Sequence, residues 1–505
     1  MSTVDTTHGK IEGSNEDGLS VFRGVPYAKP PVGDLRFLPP VEPEPWTDTL
    51  VTKEFGPSAV QIPSKLAPEV SENMSEDCLS LNVWTQECDD KKKPVMVWIH
   101  GGSFLVGSSN NAVSNAARMT QRGDVVVVSI NYRVGCFGFL NLAEIAGPDY
   151  ATSGNIGLLD QIAALKWVRD NVESFGGDPT NVTVFGCSAG GISISALLTM
   201  PDAEGLFHRA ITQSGNALAR SAASATTATK IFMEKAGAAT VEELCEKSTD
   251  ELIAAQVESL ASSAKPDVFF GPVVDGASLP EPPLHAIAEG RAMKVPILSG
   301  TTLDEMRFWL LSNPAVVTVP TDKLAHVVNR LTDGRAESVL DAYNAKYPNA
   351  NEADLSVAVL SDMNFTLPAV RMVESHSKHQ PDSWMYLFAW ESPAQGGILG
   401  TPHAIEQPFV FGTLDSPFAK VWIGDGEGLA EFSDKVQDAW LAFAKNSNPS
   451  HAGIPEWKTY DTEDRHVMRL DTESTLESDP HGDIRNQWDG VPFDGIAPPV
   501  GVRPT

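Results

Sequence analysis

A serine hydroxyl attacks a carbonyl only when the chain holds it clear of its neighbours and supplies a base and a site for the developing oxyanion. The segment Gly186-Cys187-Ser188-Ala189-Gly190-Gly191 has the G-x-S-x-G spacing that achieves the first of these. Glycines at 186 and 190 leave room for a strand and a helix to meet across a sharp turn, with the serine at its apex. As bare letters the pattern is common, and an ordinary glycine-rich turn is its bland explanation. Its context is more specific: Val182-Thr183-Val184-Phe185 reads as a strand running into the turn, and a helix-compatible stretch begins at Ile192. At a helix N-terminus the backbone N–H groups and the dipole favour negative charge. Ser188 is therefore the candidate nucleophile for acyl transfer.

The oxyanion site is expected from His100-Gly101-Gly102-Ser103-Phe104, which follows the strand ending at Ile99. Glycines there free main-chain N–H groups, and the expected donors are those of Gly102, Ser103 and Ala189. His100, as first residue of the loop, is expected to orient it and not to exchange protons. In this arrangement the acid and then the base follow the serine in chain order. Of the histidines beyond Ser188, His403 sits in a loop after a strong strand, whereas most others lie in polar, solvated segments. The acid is expected at Asp304 or Glu305, in a loop that also follows a strand, and the pattern alone leaves the two carboxylates undecided.

Elements able to position these groups are readable. Val95-Met96-Val97-Trp98-Ile99 and Val125 to Ile130 are β-branched runs of strands buried on both faces. Leu158, Ile162, Leu165, Val168 and Val172 recur at spacings of three and four and predict one helix face, ended by Gly176-Gly177-Asp178-Pro179. Ala210 to Thr212, Val295 to Leu298 and Trp384 to Phe388 predict further strands, although Pro296 weakens the second. Strands alternating with helices predict an α/β protein with a mostly parallel central sheet flanked by helices. Residues 217–265 and 312–380 are Ala-rich and polar, and are expected as helical insertions over one end of the sheet within a single large domain spanning 1–505. The last ten residues, Ile496 to Thr505, carry three prolines and predict an extended tail.

Bulk properties narrow the classes. At 505 residues, with 42% hydrophobic and 20% charged residues, the chain can bury a large core, and disorder is excluded. No apolar run reaches the length of a membrane span. The N-terminus lacks the basic and then apolar segments of a secretion signal, so a cytoplasmic location is expected. A net charge of −29 without a basic stripe disfavours nucleic acid and is explained first by solubility, second by steering of a cationic substrate. The five cysteines are scattered without metal-ligand spacing and are expected to be mostly reduced; only Cys78 and Cys88 are close enough to close a small loop. No metal or organic cofactor is implied.

From about Gly9 to Asp461 the sequence resembles the type B carboxylesterase and cholinesterase family of α/β-hydrolases. The resemblance is carried by Phe22-Arg23-Gly24-Val25-Pro26-Tyr27-Ala28, Ser75-Glu76-Asp77-Cys78-Leu79-Ser80-Leu81-Asn82-Val83, Asn131-Tyr132-Arg133-Val134-Gly135, Asn155 to Gln161, and Gln213-Ser214-Gly215. It implies Glu305, not Asp304, as the triad acid, and His403, in its H-A-x-E setting with Glu406, as the base. Met306 stands where the family has a glycine, and Ser103 where it often has Gly or Ala. Arg36 with Glu76 and Arg133 with Asp160 resemble structural ion pairs, and Ser214 a supporting serine beside the site. The segment from Gln61 to Cys78 lacks the second cysteine and the tryptophan that cholinesterases use there, so choline esters are not expected. Pro266, Val268 and Phe270 occupy the region of the family's acyl pocket. The expected activity is hydrolysis of small-molecule carboxylic esters through an acyl-serine intermediate. A carbamate, amide or thioester hydrolase with the same site, and a non-catalytic binding protein of this fold, are the competing readings.

Overall fold

The computed structural model describes residues 2–63, 68–262 and 270–491. The expected tail and two of the acyl-pocket residues, Pro266 and Val268, lie outside that range.

Among the described residues thirteen strands form one sheet, twelve of them in a continuous path: β1 (Ser2–Thr6), β2 (Gly9–Glu16), β3 (Leu19–Pro26), β4 (Ser80–Thr85), β5 (Lys93–Ile99), β6 (Val126–Ile130), β7 (Gly177–Cys187), β8 (Arg209–Gln213), β9 (Ile297–Thr302), β10 (Ser383–Phe388), β11 (His466–Leu470) and β12 (Thr475–Ser478). Their order is β1-β2-β3-β4-β6-β5-β7-β8-β9-β10-β11-β12, with Leu50–Val51 paired to β2. The run from β6 through β5, β7, β8, β9 and β10 to β11 is parallel, and the flanking strands are antiparallel. This is the mostly parallel, helix-flanked sheet of the α/β-hydrolase fold. The strand expected from Val295 starts instead at Ile297. Pro296 has no N–H to give to a ladder and contributes only its carbonyl, which accepts from Ala210 N at 3.1 Å.

Period-two alternation divides the core. Val95, Val97, Ile99, Val182 and Val184 face one apolar cluster, which includes Ile162, Leu165 and Val168 of helix α1 (Ile156–Asn171) and Ile194 of α2 (Ala189–Leu197). Met96, Trp98, Phe185 and Cys187 face the other. There Trp98 meets Phe185 and Phe411 at ring separations of 5.0 and 4.9 Å, each pair adding about 1 kcal/mol beyond area burial. Helices α3 (Ala222–Ala236) and α4 (Thr249–Ser262) occupy the first insertion region; α5 (Thr321–Leu331), α6 (Ala336–Lys346), α7 (Glu352–Ser361) and α8 (Leu367–Ser377) occupy the second. Helices α5 to α7 enclose a third cluster together with Met306, Ile484 and Trp488. Helix α9 (Leu429–Asn446) closes the second face of the sheet with Phe432, Val436 and Trp440.

The two expected ion pairs fix loops. Arg133 binds Asp160 through Nε and Nη2 at 2.8 and 2.7 Å, both side chains buried. Arg36 grips Glu76 bidentately and donates to the carbonyls of Cys245 and Lys247 at 2.9 and 2.7 Å, tying the N-terminal loop to the helical segment around 241–262. All five cysteines are free.

Candidate active site

Parallel strands put their carboxyl ends along one edge of the sheet, and every loop of interest leaves from that edge. Ser188 follows β7, the Gly101–Ser103 loop follows neighbouring β5, Ser214 follows β8 on the other side, and Glu305 follows β9. The chain after β10 folds back on itself through a bridge between Ser392 and Gly400 and delivers His403 to the same edge.

Ser188 has φ +57° and ψ −122°, a conformation that costs a non-glycine residue of order 1–3 kcal/mol and throws its side chain clear of both strand and helix. Its N–H donates to Gln213 O at 2.8 Å and its carbonyl accepts from Ile192 N at 2.9 Å, so the strain is held by β8 behind it and by the first turn of α2. The turn closes because Gly190 lacks a side chain: a Cβ there would lie 2.0 Å from Ile99 O.

The glycine loop packs against this turn. A Cβ on Gly101 would sit 3.2 Å from the Cβ of Ser188. Gly102, Ser103 and Phe104 all have positive φ, of 118°, 57° and 59°, and Leu105 and Val106 N–H both close onto Gly102 O at 3.0 Å. Phe104 anchors the loop edge-on to Phe139. Among the described residues none accepts a hydrogen bond from the N–H of Gly102, Ser103 or Ala189. His100 is stacked on Tyr132 at 4.2 Å, and its Nδ1 donates to Gly101 O at 2.8 Å. Burial lowers its pKa to about 4, so it is neutral at pH 7 and shapes the loop.

Of the two acidic candidates, the structure brings Glu305 to His403. Glu305 is fully buried; its Oε2 meets His403 Nδ1, while Oε1 accepts from Ser214 Oγ at 2.6 Å and from Thr302 N at 2.8 Å. The backbone repeats the link, His403 N donating to Glu305 O at 3.1 Å. Asp304 points the other way, accepting from Thr401 N at 3.1 Å beside Arg307, and burial raises its pKa. Met306, standing where the family has a glycine, is buried in the third cluster, and its N–H donates to Ser361 Oγ of α7 at 3.0 Å.

The model of the carboxylesterase family matches residues 1–487. The chain belongs to the carboxylesterase family. It is 40% identical to the para-nitrobenzyl esterase of Bacillus subtilis over 96% of this chain and 98% of that one. It is also 35% identical to a phenmedipham hydrolase of Pseudarthrobacter oxydans, over 92% and 94% of the two chains. The solved carboxylesterase of Geobacillus stearothermophilus superposes with a TM-score of 0.89 at 37% identity, covering 97% of this chain and all of that one.

Two features of this carboxylesterase site, the surroundings of His403 and the placement of Glu406, were not anticipated from sequence. An aromatic collar surrounds His403: Trp309 stacks at 5.6 Å, Phe365 lies at 4.8 Å and Phe308 approaches edge-on at 5.9 Å. Phe308 and Trp309 follow the acid on the 3-10 turn Glu305–Leu310, a signal visible in the sequence. Phe365 is aimed by a π turn, Asp362–Thr366, between α7 and α8, for which the sequence carries no signature. The second feature is Glu406, buried beneath the site.

Proposed function

We propose that this carboxylesterase works through Ser188 as nucleophile, His403 as general base and Glu305 as the acid that orients it, with the N–H groups of Gly102, Ser103 and Ala189 as the oxyanion hole. With Nδ1 of His403 engaged by Glu305, Nε2 is the nitrogen left to take the Ser188 proton as the hydroxyl attacks the ester carbonyl. The tetrahedral oxyanion forms against amides that need no reorganisation, each donor worth roughly 10²- to 10³-fold in rate. His403 then protonates the leaving alcohol, and a water activated by the same imidazole releases the acid from the acyl-serine.

One observation supports this reading above the others: the contact between His403 and Glu305, whose remaining oxygen is saturated by Ser214 and Thr302. In the same reading the chain is one domain, 1–505, with 217–265 and 312–380 as insertions at the carboxyl edge of the sheet. Its substrates are small-molecule esters, and para-nitrobenzyl esters, named for the Bacillus relative, are the first to try. Ser188→Ala is expected to abolish their hydrolysis while leaving the thermal melt in place; a variant that still turns over would remove Ser188 from the mechanism. Among the described residues no helix is long and apolar enough to cross a membrane.

A further inference from the structure

Glu406 stands three residues after His403, is fully buried, and takes no part in the triad as described. Its Oε1 accepts from Gln213 Nε2 at 3.1 Å and from the Cys187 thiol at 3.8 Å. Those donors immediately precede Ser214 and Ser188, so one carboxyl group ties together the two strand ends that carry the nucleophile and the acid's hydrogen-bond donor. Gln213 is in turn held by Trp440 of α9, whose Nε1 donates to its Oε1 at 3.2 Å. Glu406 Oε2 and the hydroxyl of Tyr386, on β10, are both buried and have no hydrogen-bond partner among the described residues.

The ionisable groups facing Glu406 are Cys187 from β7, Glu305 from the loop after β9, Tyr386 from β10 and His403 from its own loop. None carries a fixed positive charge. Burial first, and then the charge of Glu305, raise the Glu406 pKa to about 7, and the hydrogen bond from Gln213 opposes them. Near neutral pH this side chain is therefore divided between carboxylic acid and carboxylate.

The charge of Glu406 acts on both ends of the transition state, and their placement decides the sign. His403, which becomes an imidazolium, directly feels Glu406. Two of the three oxyanion donors, Gly102 and Ser103, leave β5, across Ser188 from the β8 strand end whose Gln213 holds Glu406. A negative charge at Glu406 favours the imidazolium, and the strand order keeps it on the side of Ser188 away from Gly102 and Ser103.

We propose that Glu406 is a second, pH-dependent positioning residue for the triad: neutral, it only holds the Ser188 and Ser214 segments together, and after losing its proton to solvent it reinforces Glu305 in stabilising the imidazolium of His403. The proposal rests on the triad reading above.

The test is kcat/KM for a neutral ester, whose own charge does not change with pH, measured from pH 5.5 to 8.5 in the wild type and in Glu406→Gln, an isosteric mimic of the neutral acid. The expected ratio of variant to wild type is near one at the acidic end and falls to about a tenth at the alkaline end, the equivalent of one pKa unit of coupling between the two groups. A merely structural role gives a ratio independent of pH, and that result, or a ratio rising with pH, overturns the proposal. Infrared difference spectra of the wild type between pH 6 and 8 give a readout independent of the variant's folding. The carbonyl band of a buried carboxylic acid is expected to disappear over that interval, and its absence overturns the proposal as well. If instead Ser188 proves not to be the nucleophile, the triad reading fails while the infrared titration of Glu406 stands.

Discussion

Replacing Glu305 by Gln isolates what the buried acid does, because the surrounding donors dictate how the amide must sit. Ser214 Oγ and Thr302 N both donate to Oε1, at 2.6 and 2.8 Å, so the amide oxygen of the introduced glutamine has to take that position. The NH2 group is then turned toward His403 Nδ1, where the carboxylate Oε2 had been. An N–H facing Nδ1 forces that nitrogen to accept, which moves the imidazole proton to Nε2 and leaves nothing to receive the Ser188 proton. The fold keeps its shape, two donors and all, and only the tautomer is wrong. A change of this kind in the Ser-His-Asp template costs about 10⁴-fold in kcat, close to 5.5 kcal/mol at 1.36 kcal/mol per decade. The assay is steady-state hydrolysis of a chromogenic ester by Glu305→Gln, beside Asp304→Asn as a control expected to stay within a few fold of wild type. A Glu305→Gln enzyme retaining a tenth of wild-type kcat/KM, or an Asp304→Asn enzyme that loses it all, would refute the tautomer argument.

Three further outcomes follow from the geometry. Asp160→Asn strips the counter-charge from buried Arg133 and is expected to cost about 3–5 kcal/mol in denaturant unfolding, with kcat of the folded protein unchanged. Gly190→Ala places a methyl group 2.0 Å from Ile99 O, a backbone atom that cannot swing away, and is expected to destabilise by at least about 3 kcal/mol, seen as loss of soluble protein or a large drop in Tm. Glu406, whose pKa is raised on folding to about 7 from an ordinary 4.5, binds more protons in the native than in the unfolded state between those values. The stability it contributes is full below pH 4.5 and is lost as pH rises through 7. Measured as wild type minus Glu406→Gln, so that other groups cancel, unfolding free energy should decline by about 3 kcal/mol across that window; a flat difference would contradict the shift.

Much of the scaffold was legible because its strands are buried on both faces. Val95 to Ile99 and Val126 to Ile130 are buried throughout and apolar at every position but Ser129, and no helix of that length would be so β-branched. The turn at Ser188 was legible for a steric reason, since only glycine fits at 186 and 190 against Ile99 O. The acid was not: Asp304 and Glu305 share a loop, and periodicity says nothing about which of two adjacent carboxylates points inward. Family resemblance favoured Glu305, and the hydrogen bonds bring that side chain to His403. Glu406 was named by the H-A-x-E resemblance, but its part in the site was the least legible. Its surroundings come from partners 219 and 193 positions away, juxtaposed only by sheet order. Phe365 is similar, since an extra residue in the π turn rotates it onto His403 and leaves no mark on the hydrophobic pattern.

Reaction with an active-site-directed fluorophosphonate, followed by intact mass and peptide mapping, bears most directly on the central claim. The expected result is one adduct per chain, on the peptide containing Ser188, formed in step with loss of esterase activity and absent from Ser188→Ala. An adduct on any other serine, or full inactivation without modification of Ser188, would contradict it.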